Sequence, residues 1–322
     1  MEIKSVYPPA NIIDIGDKQD NDPPIFEPVN IYSLPNAYIT SYGYVISNFK
    51  ILKEGVSYRH RNSLNFKNVV SFLFLKKKVH LNKSALSISH GWYDSYYHFT
   101  LECLPKLFIL KDFLSRATLV FPKKIQNFHS EWFELLGVKN ILYVEESEIL
   151  KTPLAITSSF PARDLNHHHL VMPDFAMWVL SKIDNLNSLG FKKIFIGRKN
   201  PKHRILLNLP EIKLYLETQG FVYAEMEDYS IKDQIKLFYN ANQIICVHGA
   251  ALSNLCFSKP GTKVLDLLHE DFKQWCFLKL AIIHNLDYDI LDCQGEGDHP
   301  LPGYKDIRVN IPNLKNKIEK WN

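Results

Sequence analysis

The sequence predicts an α/β protein of two domains, and three observations carry that expectation. The chain has 322 residues, 46% hydrophobic and 13% aromatic, so it should bury roughly three quarters of its unfolded surface in packed cores. From Lys193 onwards short apolar runs alternate with helical stretches, the pattern of a parallel, doubly wound sheet with right-handed crossovers. At the centre of that half, Ile244 to Val247 reads as a buried strand, His248-Gly249 as a tight break, and Ala250 to Phe257 as a helix that starts at once.

Composition narrows the class. A formal charge of +4, with no arginine-rich stripe or aromatic nucleic-acid signature, gives no argument for nucleic acid as a partner. The five cysteines, Cys103, Cys246, Cys256, Cys276 and Cys293, are scattered through apolar segments, and they read as buried hydrophobes in a reducing compartment. Met1 to Asp20 lacks a charged start followed by an apolar core, so no signal peptide is expected. The longest apolar run, Val69 to Leu75, is far too short to cross a bilayer. A cytoplasmic location is the resulting expectation.

Taken in order, residues 1 to 36 are rich in Pro, Asn and Asp, with Pro8-Pro9 and Pro23-Pro24, and read as an extended lead-in. From Ala37 to Ser89, Tyr42 to Ser47 and Val69 to Leu75 read as strands, some of them antiparallel. Lys76 to Lys78 reads as a solvated loop, with a weak attraction to anionic lipid as its other reading. Asp94 reads as the N-cap of a helix running towards Leu110, which Pro105 should kink. Thr118 to Phe121, Ser130 to Leu136, Asn140 to Val144 and Leu154 to Thr157 then alternate strand and helix, as at the edge of a Rossmann-like domain. Pro173 to Leu186 reads as a helix, and Asn187 to Gly190 as the hinge between halves.

In the second half the expected strands are Lys193 to Ile196, Phe221 to Met226, 243 to 247, Lys263 to Leu267 and Tyr288 to Leu291. The expected helices are Glu211 to Thr218, Ser230 to Ala241, the one from Ala250, Phe272 to His284 and Pro312 to Trp321. Ligands of such sheets sit at the carboxyl ends of the strands. Arg198 and Lys199, His248-Gly249 and Asp266 all fall there.

Two groups of residues have the chemistry of a site. Asp94, His98 and Glu102 are spaced by four and would share one helical face, where a carboxylate can hold the imidazole tautomer and raise its basicity. Their plain reading is a capped surface helix with an ordinary ion pair. Arg198, Lys199 and Arg204 offer the cations that a diphosphate needs, and a helix start at Gly249, Ala250 and Ala251 offers free amides. Asp266 reads as an acceptor for ribose hydroxyls or as a surface acid. Two metal-like patterns are declined. His167, His168 and His169 are adjacent, so they should point in different directions; Asp287 and Asp289 flank Tyr288 at a strand start, where an edge role is sufficient.

Together the stretches Tyr96 to Leu107, Gly197 to Arg204, Gln234 to Asn254 and Pro260 to Leu267 resemble glycosyltransferase family 61, over about residues 90 to 268. The resemblance implies a GT-B-like fold of two Rossmann-like domains with a cleft between them, and inverting transfer from a nucleotide sugar. It departs from the family at Gly197, where Ser is usual before the Arg, at Asn208-Leu209, where Asn-Glu often follows, and at Asp266, where Glu is commoner.

The expected domains are 1–187 for the acceptor, 188–300 for the nucleotide sugar, and 301–322 as a segment crossing back to the first. His98, held by Glu102, is the expected base, with Asp94 as the alternative. Arg198, Lys199, Arg204 and the amides at Gly249, Ala250 and Ala251 receive the leaving diphosphate, while His248, Asn254 and Asp266 shape the donor pocket. The donor is expected to be UDP- or CMP-linked, with no metal or other cofactor. The acceptor is a glycan or lipid-linked glycan, in surface polysaccharide synthesis such as capsule or lipopolysaccharide, at the inner face of the plasma membrane. Two rivals stay open: a nucleotide-sugar epimerase or hydrolase, and a non-catalytic glycan or nucleotide-sugar binding module.

Overall fold

A computed structural model describes residues 1–15, 25–163, 165–272 and 274–321; Pro23-Pro24 of the expected lead-in lie outside them. The chain is a mixed α/β protein of two compact units, Met1–Lys182 and Ile183 onwards.

In the first unit the central sheet is mixed. Parallel strands Ile141–Val144, Thr118–Pro122, Ala85–Ser87 and Glu148–Ser158 lie side by side in that order. Glu148–Ser158 then pairs antiparallel with the long strand Val29–Thr40. Leu34, Ile39, Ala85, Val120, Leu150 and Ala155 fill the core beneath it. Five free cysteines are buried across the two units.

Three readings of this unit are corrected. Val69 to Leu75 is part of an α-helix, Phe66–Leu75, and not a strand. A short apolar run carries no period that separates the two, and the deciding signal is the cap. Asn65 accepts from the Lys67 N–H at 2.9 Å while Asn68 accepts from the Asn65 N–H at 2.8 Å. Lys77–His80 is a strand beside Glu148–Ser158, so the lysine triplet is not a loop. The strand expected from Tyr42 begins only at Val45, after a turn.

The second unit follows the alternation closely. Its sheet runs in the order Val222–Glu225, Lys193–Gly197, Gln243–Val247, Lys263–His269, Asp287–Glu296 and Asp306–Arg308. The first five are parallel and the last is antiparallel. Ile194 to Ile196, Ile244 to Val247 and Val264 to Leu268 are buried without alternation, as expected where helices cover both faces. Helices Leu209–Thr218, Ile231–Asn240, Cys276–Ile283 and Ile311–Glu319 alternate with the strands. Ser230 caps the second of these by accepting from the Asp233 N–H. Ile311–Glu319, the segment expected to cross back, buries Leu314 and Ile318 in the core of this second unit. The element from Ala250 is a 3-10 helix to Phe257 rather than an α-helix.

Chain order along this sheet reverses between Lys193–Gly197 and Gln243–Val247. That reversal is the switch point of an open α/β sheet, where a crevice forms outside the carboxyl ends. Arg198 leaves one of these two strands and His248 the other.

Candidate active site

In the first unit the site is built on an irregular helix. A short turn, Tyr96–His98, leads into a π-helical stretch, Phe99–Cys103, and then into α-helix Leu104–Ile109. Pro105 lacks an N–H and its ring crowds the carbonyl one turn earlier. The widened π turn before it accommodates both and sets Glu102 inside the fold. The N-cap is Ser95, not Asp94.

His98 Nδ1 lies 2.9 Å from Glu102 Oε2, and His90 Nε2 lies 3.1 Å from the same oxygen. The Trp92 N–H donates to His90 Nδ1 at 3.4 Å, which leaves the His90 proton on Nε2, facing the carboxylate. Burial alone would raise the Glu102 carboxyl, but hydrogen bonds and charge from His90 and His98 outweigh it and hold it well below the usual range. Glu102 therefore stays ionised and fixes the His98 proton on Nδ1. His98 Nε2 is free to accept a proton, since no described hydrogen bond engages it, and its side chain is partly open to solvent.

Aromatic rings enclose the trio. Trp92 lies against His98 with ring centroids 5.0 Å apart, and Phe160 meets His90 edge-on at 5.2 Å. His60 packs on Trp92 at 5.0 Å. Tyr97 Oη sits 3.0 Å from His167 Nε2, and burial pushes the His167 pKa down to about 4, so that ring is neutral at pH 7. His168 and His169 engage other partners, the carbonyls of Pro8 and Asn11. Asp94 is exposed in the preceding turn and is not brought to Glu102; its charge acts on Tyr93 and His129. His90, His98 and Glu102 each offer one ligand atom within 4.8 Å of the others, a donor set that could also hold a divalent cation.

In the second unit Arg198 and Arg204 stand together at the switch point. Arg198 donates to the His203 carbonyl at 2.7 Å and Arg204 to the His248 carbonyl at 2.9 Å. Burial, then the charge of Arg198, pushes the Arg204 pKa down to about 10. Neither guanidinium forms an ion pair among the described residues. Both line a cavity of ≈ 100 Å³ with Gly197, Leu206, Tyr223 and Val247. A Cβ on Gly197 would stand 2.1 Å from the Tyr223 hydroxyl, so that hydroxyl occupies the space a serine side chain would need.

Behind them His248 Nδ1 lies 2.6 Å from Asp266 Oδ2, and the Tyr288 hydroxyl donates to the same oxygen at 2.6 Å. Asp266 is fully buried and His248 is 3% exposed, so the pair braces the turn from inside the fold. Asn254 is also fully buried and donates to Gln234 at 3.2 Å. Lys199 is exposed and paired with Asp228, while Ala250 is exposed at the start of the 3-10 turn and Ala251 half-buried. Gly249 approaches Arg198 closely, with its would-be Cβ 3.8 Å from Arg198 Cδ. Asp289, half of the declined metal pattern, is ion-paired with Lys317.

Sequence reasoning missed three features. His90 was the first, although its signal is the His-Gly pair after a strand, repeated at His248-Gly249. Tyr288 was passed over as a spacer between two acids. The rings of His203, His299 and Tyr304 form the third, with centroids 4.9 to 5.9 Å apart beside Arg204. They come from two irregular loops and have no periodic signature.

Over 144 residues the chain is 26% identical to EGF domain-specific O-linked N-acetylglucosamine transferases of Canis lupus familiaris, Pan troglodytes and Gallus gallus. The match takes in 40% of this chain and 27%, 27% and 26% of those proteins, so the chain spans about a quarter of the length of the curated relatives it matches. The family described as Glycosyltransferase 61 matches residues 96–265, more than half of the chain and most of the residues of both sites. The chain belongs to the glycosyltransferase 61 family.

Proposed function

We propose that this protein is an inverting glycosyltransferase that moves a sugar from a nucleotide sugar to a glycan hydroxyl, and that its fold is of the GT-B type. The observation that carries the donor half is the Arg198 and Arg204 pair, two partly buried guanidiniums lining one cavity with no acid paired to either among the described residues. Like charges held together out of water need an anion, and a diphosphate is the group that planar guanidiniums bind best.

In the reaction His98 Nε2 takes the proton of the acceptor hydroxyl, and Glu102 steadies the imidazolium that forms. The acceptor oxygen attacks the anomeric carbon from the face opposite the leaving group. The bond from that carbon to the phosphate oxygen breaks, and its electron pair stays with the nucleotide. Arg198 and Arg204 neutralise that charge. His248, held by Asp266, whose oxygen also accepts from Tyr288, fixes the backbone at Gly249 beside them, and the rings of His203, His299 and Tyr304 offer a face for the base.

A thermal-shift screen with nucleotide sugars tests this. A donor that binds only the folded state raises the melting temperature, and the expected donor does so above bare nucleoside diphosphate. No shift with any nucleotide sugar removes the reading. A second reading follows from the convergence of His90, His98 and Glu102 on one point: a divalent cation held there in place of a free base. Transfer that survives exhaustive EDTA treatment supports the base; activity lost to EDTA and restored by one metal supports the cation.

A further inference from the structure

We infer that helix Phe66–Leu75 is a docking surface for an anionic lipid bilayer. A helix that covers a core shows one apolar face and one polar face, and in this one the apolar surface runs past the buried stripe onto an exposed flank. Val69 and Leu73 are buried, packed with Ile46 and Ile149 of the sheet. Along the flank of that buried stripe Phe66, Val70 and Phe74 stand at i, i+4 and i+8, and Leu75 follows. Their exposures are 66%, 39%, 67% and 81%. Two phenylalanines and a leucine at that exposure on one short helix form an apolar ridge rather than scattered surface residues.

Charge around the ridge selects the partner. Between Glu54 and Asp94 the sequence has seven Lys and Arg residues and no Asp or Glu. Lys67 lies exposed on the helix itself, and Lys76, Lys77 and Lys78 follow it directly. Lys76 is anchored on the Glu146 carbonyl and Lys77 on the Glu148 carboxylate at 3.2 Å, whereas Lys67 and Lys78 form no ion pair among the described residues. An apolar ridge with Lys67 on the helix and Lys78 just past its end has the makeup of an interfacial helix, which lies in the headgroup layer with its aromatics among the acyl chains. The cap at Asn65 and Asn68 holds the helix formed before it meets lipid. No described helix is long and apolar enough to span a membrane, so the contact is with the surface.

The segment joins the candidate site. His60, six residues before Phe66, packs on Trp92, which packs on His98. A corollary, which rests on the transfer reading, is that the acceptor is carried by a lipid.

Co-sedimentation of the full chain with vesicles tests the docking without any need for activity. Binding is expected to vesicles containing about one-third phosphatidylglycerol, falling with added salt, and to be weak on pure phosphatidylcholine. A Phe66→Ser, Phe74→Ser double variant should lose at least about tenfold of that affinity while keeping its circular dichroism and its turnover of a water-soluble acceptor. Absence of binding to anionic vesicles, or binding untouched by the double variant, overturns the inference. So does a dimer in light scattering that the double variant dissolves, since the ridge would then cover a second copy. For the corollary, the double variant should raise KM only for a vesicle-borne acceptor; an equal change on both acceptors breaks that link.

Discussion

Glu102→Gln keeps the shape of the side chain and removes its charge. In the folded protein one oxygen of Glu102 faces two imidazole nitrogens at 2.9 and 3.1 Å. An amide oxygen can still accept at that position, so the His98 tautomer survives and the loss is electrostatic. A carboxylate about 4 Å from the centre of an imidazolium is worth on the order of 4 kcal/mol at an effective dielectric near 20. With the proton half transferred, about half of that is felt in the transition state. The expected effect is therefore a loss of about 30-fold in kcat, with donor affinity by calorimetry unchanged. The variant should also alter acid stability. Because the folded carboxyl titrates below its unfolded value, Glu102 stabilises the protein above the unfolded pKa near 4.5 and loses that contribution as pH falls below it. Denaturation from pH 6 down to pH 3 should show a steeper decline for wild type than for the variant. A Glu102→Gln protein with wild-type kcat, or one whose defect lies entirely in donor binding, refutes the assignment of His98 and Glu102 as base and partner.

Further outcomes follow from the same geometry. Arg204→Gln should weaken nucleoside diphosphate binding by about 10- to 100-fold, the worth of a hydrogen bond to a charged group; calorimetry reads it, and unchanged affinity contradicts the diphosphate site. Asp266→Asn removes the charge that holds His248 and Tyr288, and should lower stability by about 2 kcal/mol in urea unfolding. Lys106 is wholly buried with its ammonium on the Gly55 carbonyl, and burial pushes its pKa down to about 8. Its unfolded counterpart keeps its proton up to about 10.5, so stability should rise with pH across that window by about 3 kcal/mol. Lys106→Met should abolish that rise, and parallel pH curves for the two proteins rule it out.

The second unit was legible because its signal is redundant. Its central strands carry short buried apolar runs, Ile194 to Ile196 and Ile244 to Val247, and its helices include the Ser230 cap and the Gly220 stop, so local and global preferences agree there. Arg198 and His248 could be placed at one edge from that order alone. The first unit was less legible because its sheet is mixed and its short apolar runs are ambiguous, as Val69 to Leu75 shows. Pairing of His98 with Glu102 followed from a spacing of four. The third partner, His90, sits on a separate segment after Ala85–Ser87, where only the fold brings it to Glu102. Burial explains the rest: Asp266 and Asn254 have the residue types of ligand contacts, yet both are enclosed.

The most direct test is nuclear magnetic resonance of the transfer product with wild type and with His98→Ala, using the donor that the thermal-shift screen selects. An anomeric configuration opposite to that of the donor is expected from wild type. His98→Ala should bind donor normally and lose on the order of 10²- to 10⁴-fold in turnover. A product that keeps the donor configuration, or a His98→Ala protein that transfers at the wild-type rate, contradicts a single displacement driven by His98.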